Sequence, residues 1–243
     1  MKMNTIFAIF VSLALLGLPG LSSAGITTFS ATDDGVYPGP WLNSATAQAN
    51  FMAAAGGFGP LNTITFENLP TGFYTPFSPA PGVTVMMNAS NYGDGISGIS
   101  DTTFGQLYGF NTTPSGSKWF GFPGSSYTSG SATFIFAVPT YSFGMYLTGL
   151  QTFYTTSLTE SFNDGAPQTL TLPVTVNGGA EYFGFTDNAP FSTITITDNG
   201  NDGYYDYWGI DDVTYNAVPV PPSVWLFGSG VLGLLGWRRF RKA

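Results

Sequence analysis

The sequence predicts an all-β, antiparallel sandwich with a short N-terminal helix and a C-terminal membrane helix. Three observations carry that prediction. Apolar and polar residues alternate over many short runs. Clusters of Asn, Asp and Gly separate the runs. Aromatic residues make up 16% of the chain and charged residues only 8%, which suits an exported β domain and not disorder. The 243 residues, less two end segments, suffice for one domain with a sizeable core.

Residues 1–24 have the form of a secretory signal peptide. Lys2 supplies the basic start, Ile6 to Leu18 the apolar run, and Pro19-Gly20 the break. Ser22-Ser23-Ala24 places small residues before a cleavage at Gly25. The run is shorter than the ~20 residues a membrane span needs. Residues 25–60 lack strand periodicity and form a helical and loop segment. Ser44 is expected to cap a helix over Ala45 to Ala55, ended by Gly56-Gly57.

Residues 61–217 form the β-sandwich domain. Ile64 and Phe66 alternate with threonines, and Val83, Val85 and Met87 do the same. Ala132, Phe134, Phe136 and Val138 make one strand, and Tyr141, Phe143, Met145 and Leu147 the next. Leu170, Leu172, Val174 and Val176 follow, then Ile194 and Ile196. The expected turns are Asn91 to Gly95, Asn163-Asp164-Gly165, Asn177-Gly178-Gly179 and Asp198-Asn199-Gly200.

The chain contains no Cys and no His. Disulfides, thiolate metal sites, His-ligated zinc and Ser-His-Asp triads are thereby excluded. All 14 acids lie between Asp33 and Asp212, where Lys118 is the sole base. Such a body has no electrostatic footprint for nucleic acid. It suits divalent cations and neutral glycans.

The C-terminal end has three parts in order: Val218-Pro219-Val220-Pro221-Pro222-Ser223, an apolar run from Val224 to Trp237, and Arg238-Arg239-Phe240-Arg241-Lys242. The prolines make a stiff spacer. The apolar run is a helix in lipid, and the basic end stays on the cytoplasmic side. This segment, residues 218–243, resembles the PEP-CTERM sorting signal of Gram-negative bacteria. Where that family has Pro-Glu-Pro, this chain has Val220-Pro221-Pro222-Ser223. The resemblance implies a sorting motif of Pro219, Pro221, Pro222, Arg238, Arg239 and Arg241, with an exosortase-type membrane protease as partner. The protein is then held transiently at the inner membrane before reaching the cell surface or the extracellular space.

Ile64-Thr65-Phe66-Glu67-Asn68 opens the domain and Gly209-Ile210-Asp211-Asp212-Val213-Thr214-Tyr215 closes it. This pairing resembles jelly-roll binding modules, among them MAM domains and bacterial carbohydrate-binding families. The resemblance implies a jelly-roll-like antiparallel β-sandwich whose first and last strands are neighbours and share a Ca²⁺ ion. Carboxylates gathered on adjacent strands repel one another. Calcium relieves this with six to eight oxygen ligands. The expected metal ligands are Glu67, Asp211 and Asp212, with Asn68 contributing.

Tyr204, Tyr205, Tyr207 and Trp208 form an aromatic run beside acids and amides, an expected ligand-binding face for sugar rings. Phe73, Tyr74 and Phe77 offer a second such group. Asp198 to Asp206 resembles a calcium loop only loosely, with Gly200 at the third position and no Glu at the twelfth. The expected function is a non-enzymatic surface protein that binds extracellular polysaccharide. The alternatives are a structural matrix or coat component, and a carboxylate-based glycoside-active enzyme, for which no paired-carboxylate motif stands out.

Overall fold

The computed structural model describes residues 25–88, 97–123, 130–153, 155–163, 168–200 and 206–216. The expected signal peptide, the expected sorting segment with Pro219, Pro221, Pro222, Arg238, Arg239 and Arg241, and the aromatics Tyr204 and Tyr205 lie outside the described residues. Among the described residues no helix is long and apolar enough to cross a membrane.

The chain is mostly β. Its strands are β1 (Thr27–Asp34), β2 (Leu61–Ile64), β3 (Phe77–Ala80), β4 (Val83–Asn88), β5 (Gly98–Ser100), β6 (Trp119–Pro123), β7 (Gly130–Thr148), β8 (Thr155–Asn163), β9 (Gln168–Leu172), β10 (Gly179–Gly200) and β11 (Tyr207–Asn216). Among the described residues one α-helix, α1 (Leu42–Ala55), runs into a short 3-10 turn at Gly56–Phe58. All of the strand pairings are antiparallel.

β1 corrects the expectation that residues 25–60 hold no strand. Thr27 to Asp34 pairs in register with Thr186 to Gly179 of β10. Only Phe29 and Ala31 in this strand are apolar, and both pack toward α1, so the alternation is too short to register in the sequence. The helix also starts earlier than expected. The Asp33 carboxylate receives the backbone N–H groups of Asn43 (3.1 Å) and Ser44 (2.8 Å). It takes two of the orphan donors of the first turn and complements the helix dipole. Ser44 is therefore not the cap; it is buried, and its hydroxyl bonds the carbonyls of Ala31 and Ala180.

The frame is set by the two longest strands. β7 and β10 pair over two zones, Gly130 to Ile135 with Thr193 to Asp198, and Ser142 to Thr148 with Ala180 to Thr186, with shifted register between. Between the zones Ala137 to Pro139 and Asn188 to Pro190 are exposed. Pro139 and Pro190 cannot donate a ladder bond. Val138 accordingly leaves the buried alternation and is 42% exposed. In the first zone β4 flanks β7, and β8 then β9 extend from β10. In the second, β11 flanks β7 and β1 flanks β10, with β6 and β2 on the far side of β11 and β5 beyond β6.

Both zones feed one core. Val85, Phe134, Phe162 and Ile194 come from the first, and Phe143, Met145, Phe183 and Ile210 from the second. A smaller cluster joins Ala47, Phe51 and Ala55 of α1 to Tyr146, Ala180 and Tyr182. Gly184 permits this contact, since a Cβ there would stand 2.8 Å from the Phe51 ring.

The turn at Gly178 and Gly179 is present, both with positive φ. Strand β9 ends at Leu172, short of the expected Val176, which is 61% exposed. The expected turn at Asp198-Asn199-Gly200 is instead the end of β10, where Asp198 and Asn199 still pair with β8. β2 and β11 are neighbours, Leu61 to Ile64 against Asn216 to Val213.

Candidate functional site

β2 ends at Ile64, before the acid expected on it. Phe66 takes a φ of 58°, and Leu69 N–H bonds the Phe66 carbonyl at 3.0 Å, so Glu67 stands in a turn. In β11 the pairing with β7 is irregular between Asp211 and Thr214, and Asp212 takes a φ of 48°. Two ordinary side chains in left-handed backbone mark places where the surroundings impose the conformation.

Both irregularities serve the same loop, residues 111–118. Asp211 Oδ2 accepts from Thr112 N (2.6 Å), Thr113 N (3.2 Å) and Thr112 Oγ1 (3.0 Å), while Oδ1 accepts from Asp212 N (2.8 Å). Asp212 Oδ1 accepts from Thr113 Oγ1 at 2.7 Å and Oδ2 from Thr112 Oγ1 at 3.3 Å. Glu67 Oε1 accepts from Asn111 Nδ2 (2.9 Å), Ser117 N (2.9 Å) and Lys118 N (2.8 Å). Gly116 is required here, because a Cβ would collide with Glu67 Oε1. Three carboxylates from the first and last strong β segments thus grip one loop by charge-assisted hydrogen bonds.

The sole base of the body, Lys118, stands at this cluster. Lys118 Nζ donates to the carbonyls of Glu67 (2.9 Å) and Leu69 (2.6 Å). Asn68 is exposed and makes none of these bonds. Burial, and then the charge of Asp212, push the Asp211 carboxyl up to about 7 against the opposing bonds from Thr112. Asp212 is raised too, first by burial and also by the Glu67 charge. Burial and the charges of Asp212 and Asp33 push the Tyr146 hydroxyl up to about 12.

Among the described residues no three His, Cys, Asp or Glu side chains stand together as a metal-holding group. N–H donors occupy much of the lone-pair capacity of Asp211 and of Glu67 Oε1. Glu67 Oε2 and the Asp212 carboxylate, whose donors are rotatable hydroxyls, are the oxygens left to a cation.

The expected aromatic face divides. Tyr207 is half-buried at the start of β11. Trp208 is fully buried, its Nε1 donating to Asp198 Oδ2 at 2.9 Å, so it is a core residue with no face for a sugar. Phe77 is likewise in the core, with Phe73 and Tyr74 packed against it. Sequence reasoning missed Phe104 and Tyr108, exposed at 58% and 36%. Their signal was two aromatics within the glycine-bounded stretch Phe104-Gly105-Gln106-Leu107-Tyr108-Gly109.

It also missed two interior acids. Glu160 and Glu181 are buried, and neither carboxyl has a hydrogen-bond partner among the described residues. Burial raises both well above the usual carboxylate range. The alternation does place Glu181 on the face of Phe183 and Phe185. A separate groove of about 430 Å³ lies among Asn62, Thr63, Gly82, Phe136, Val138 and Tyr215, and no carboxylate lines it.

Searched against protein-family models, the chain matches none, and no curated protein is significantly similar to it.

Proposed function

We propose that this is an exported, non-enzymatic surface protein that associates with extracellular polysaccharide through a jelly-roll-like β-sandwich. The observation that carries the reading is the cradle. Glu67, Asp211 and Asp212 hold the loop 111–118 at the junction of β2 and β11. A loop fixed on a rigid sheet is the usual scaffold of a binding site. The acidic body and the absence of His and Cys favour binding over catalysis. So does the burial of Glu160 and Glu181, since a glycosidase needs two carboxyls flanking an accessible bond.

Export belongs to the same proposal. Residues 1–24 direct secretion, and residues 218–243 act as the PEP-CTERM segment processed by an exosortase-type protease. Calcium enters as a ligand of Glu67, Asp212 and the hydroxyls of Thr112 and Thr113, with Asp211 positioning the loop. Two carboxylates make a site of the millimolar, extracellular class.

The test is co-sedimentation of the full chain, solubilised in detergent, with insoluble and gel-forming polysaccharides. The chain is expected to sediment with at least one neutral polysaccharide, more strongly in calcium than in EDTA. Absence from every polysaccharide pellet in both conditions would sink the reading.

A further inference from the structure

We infer that Phe104, Tyr108 and Tyr207 form a stacking face for an uncharged chain of pyranose rings. The inference rests on the polysaccharide reading above and gives it a location. Phe104 and Tyr108 meet edge to face with ring centroids 5.6 Å apart, and Tyr108 lies 6.3 Å from Tyr207 at a tilt of 37°. The three rings thus form a chain of two ring–ring contacts, spaced on the scale of one sugar unit each. Two of them keep more than a third of their area in water.

The backbone beneath these rings is tied down. Gly109 N–H bonds the Tyr207 carbonyl at 2.9 Å, and Tyr108 N–H bonds that of Gly105 at 3.2 Å. Gln151 Nε2 holds the Leu107 carbonyl at 2.9 Å, and Gly179 N–H holds that of Gln106 at 2.8 Å. Exposed aromatics on a fixed loop lose little freedom when a ligand arrives, which favours a preorganised binding face.

Charge selects the occupant. Lys118, the one base between Asp33 and Asp212, is committed to two carbonyls. Among the described residues no cationic handle remains there for uronate, sulfate or phosphate. Two amide side chains, Gln106 and Gln151, are bonded to the backbone around the face. Gln106 and Gln151 give their N–H groups to backbone carbonyls, which leaves their Oε1 atoms as acceptors for sugar hydroxyls. Neutral amides beside apolar rings match the hydroxyl rim and C–H face of an uncharged pyranose.

The test is affinity electrophoresis of the full chain in detergent through gels containing a soluble neutral glucan, alginate or partly deacetylated chitosan. Retardation is expected in the glucan gel, unchanged by added salt because no ion pair is involved. Phe104→Ala with Tyr108→Ala is expected to weaken it about tenfold or more, whereas Tyr108→Phe keeps the stacking and most of the retardation. The replaced rings are exposed, and an unchanged melting temperature of the double variant confirms that the fold survives. If the wild type binds glucan and the double variant binds equally, this face is wrong while the polysaccharide reading stands. If the wild type is retarded in no gel, both fall. Retardation only by alginate or only by chitosan would overturn the uncharged ligand.

Discussion

Glu181 is buried opposite Leu147 in the sheet, and neither carboxyl oxygen has a hydrogen-bond partner among the described residues. An ionised carboxylate there would be costly, so the group stays protonated and burial raises its pKa well above 4.5. A folded-state pKa above the unfolded one favours the fold at low pH. That contribution is fully present below about 4.3 and is lost as pH rises through the folded value. Glu181→Gln removes the titration and keeps the shape. The variant is expected to exceed the wild type by about 1–3 kcal/mol at pH 8 and to match it near pH 4. Urea unfolding at the two pH values checks this, and an equal difference at both would show that Glu181 does not titrate in the core. The alternating pattern puts Glu181 on the face of two phenylalanines, but no strand is expected there from the sequence, so the position is missed. Trp208 was not legible. Its neighbours Tyr207 and Asp206 read as a surface run, whereas its full burial and its bond to Asp198 show the indole turned inward.

The loop 111–118 and the β11 irregularity stand or fall together. From two short flanking motifs the sequence predicts the strand of Ile64 beside that of Asp211 and Asp212; β2 and β11 are neighbours, with Glu67 in the turn beyond β2. The sequence could not show what neutralises these acids. Backbone N–H groups are invisible in composition, and here those of Thr112, Thr113, Ser117 and Lys118 point at the carboxylates. Asp211→Asn is therefore not a silent change in chelator, since an amide cannot accept at both former oxygens. It is expected to cost about 1–3 kcal/mol at pH 5, and less above pH 7, where the buried charge of the wild type has its own penalty. Its folded pKa of about 7 lies above the ordinary value, so its contribution is present at low pH and fades as pH rises through about 7. A cation competes with that proton. At ten times its dissociation constant calcium adds about 1.4 kcal/mol. The gain should be larger at pH 8 than at pH 5, and Asp212→Asn should abolish it. Identical thermal melts of the wild type in calcium and in EDTA at pH 8 would remove calcium from the cradle.

Over the full length of the chain, charge is sorted as sharply as hydrophobicity. The acids occupy the interval from Asp33 to Asp212, and five of the six bases lie at the two ends. The alternating strands and shared core were readable from period-two apolar residues. The continuity of β7 and β10 was not, because Pro139 and Pro190 punctuate the sequence where each strand passes between its two zones. The end segments carry the prediction that belongs to the entire molecule. A basic cluster after an apolar run is held on the cytoplasmic side by the bias that orients membrane helices. Each Lys or Arg near an anionic leaflet adds about 1 kcal/mol to that hold. Replacing Arg238, Arg239, Arg241 and Lys242 with Ser should therefore release unprocessed chain into the medium. In the parent, a host with an exosortase should yield a mature protein that begins at Gly25 and lacks the basic end. Intact-mass measurement of the surface and medium fractions distinguishes the two. Recovery of the parent from the surface with Trp237 to Ala243 still attached would make the segment a permanent anchor. An unchanged distribution of the Ser variant would show that the basic cluster does not retain the chain.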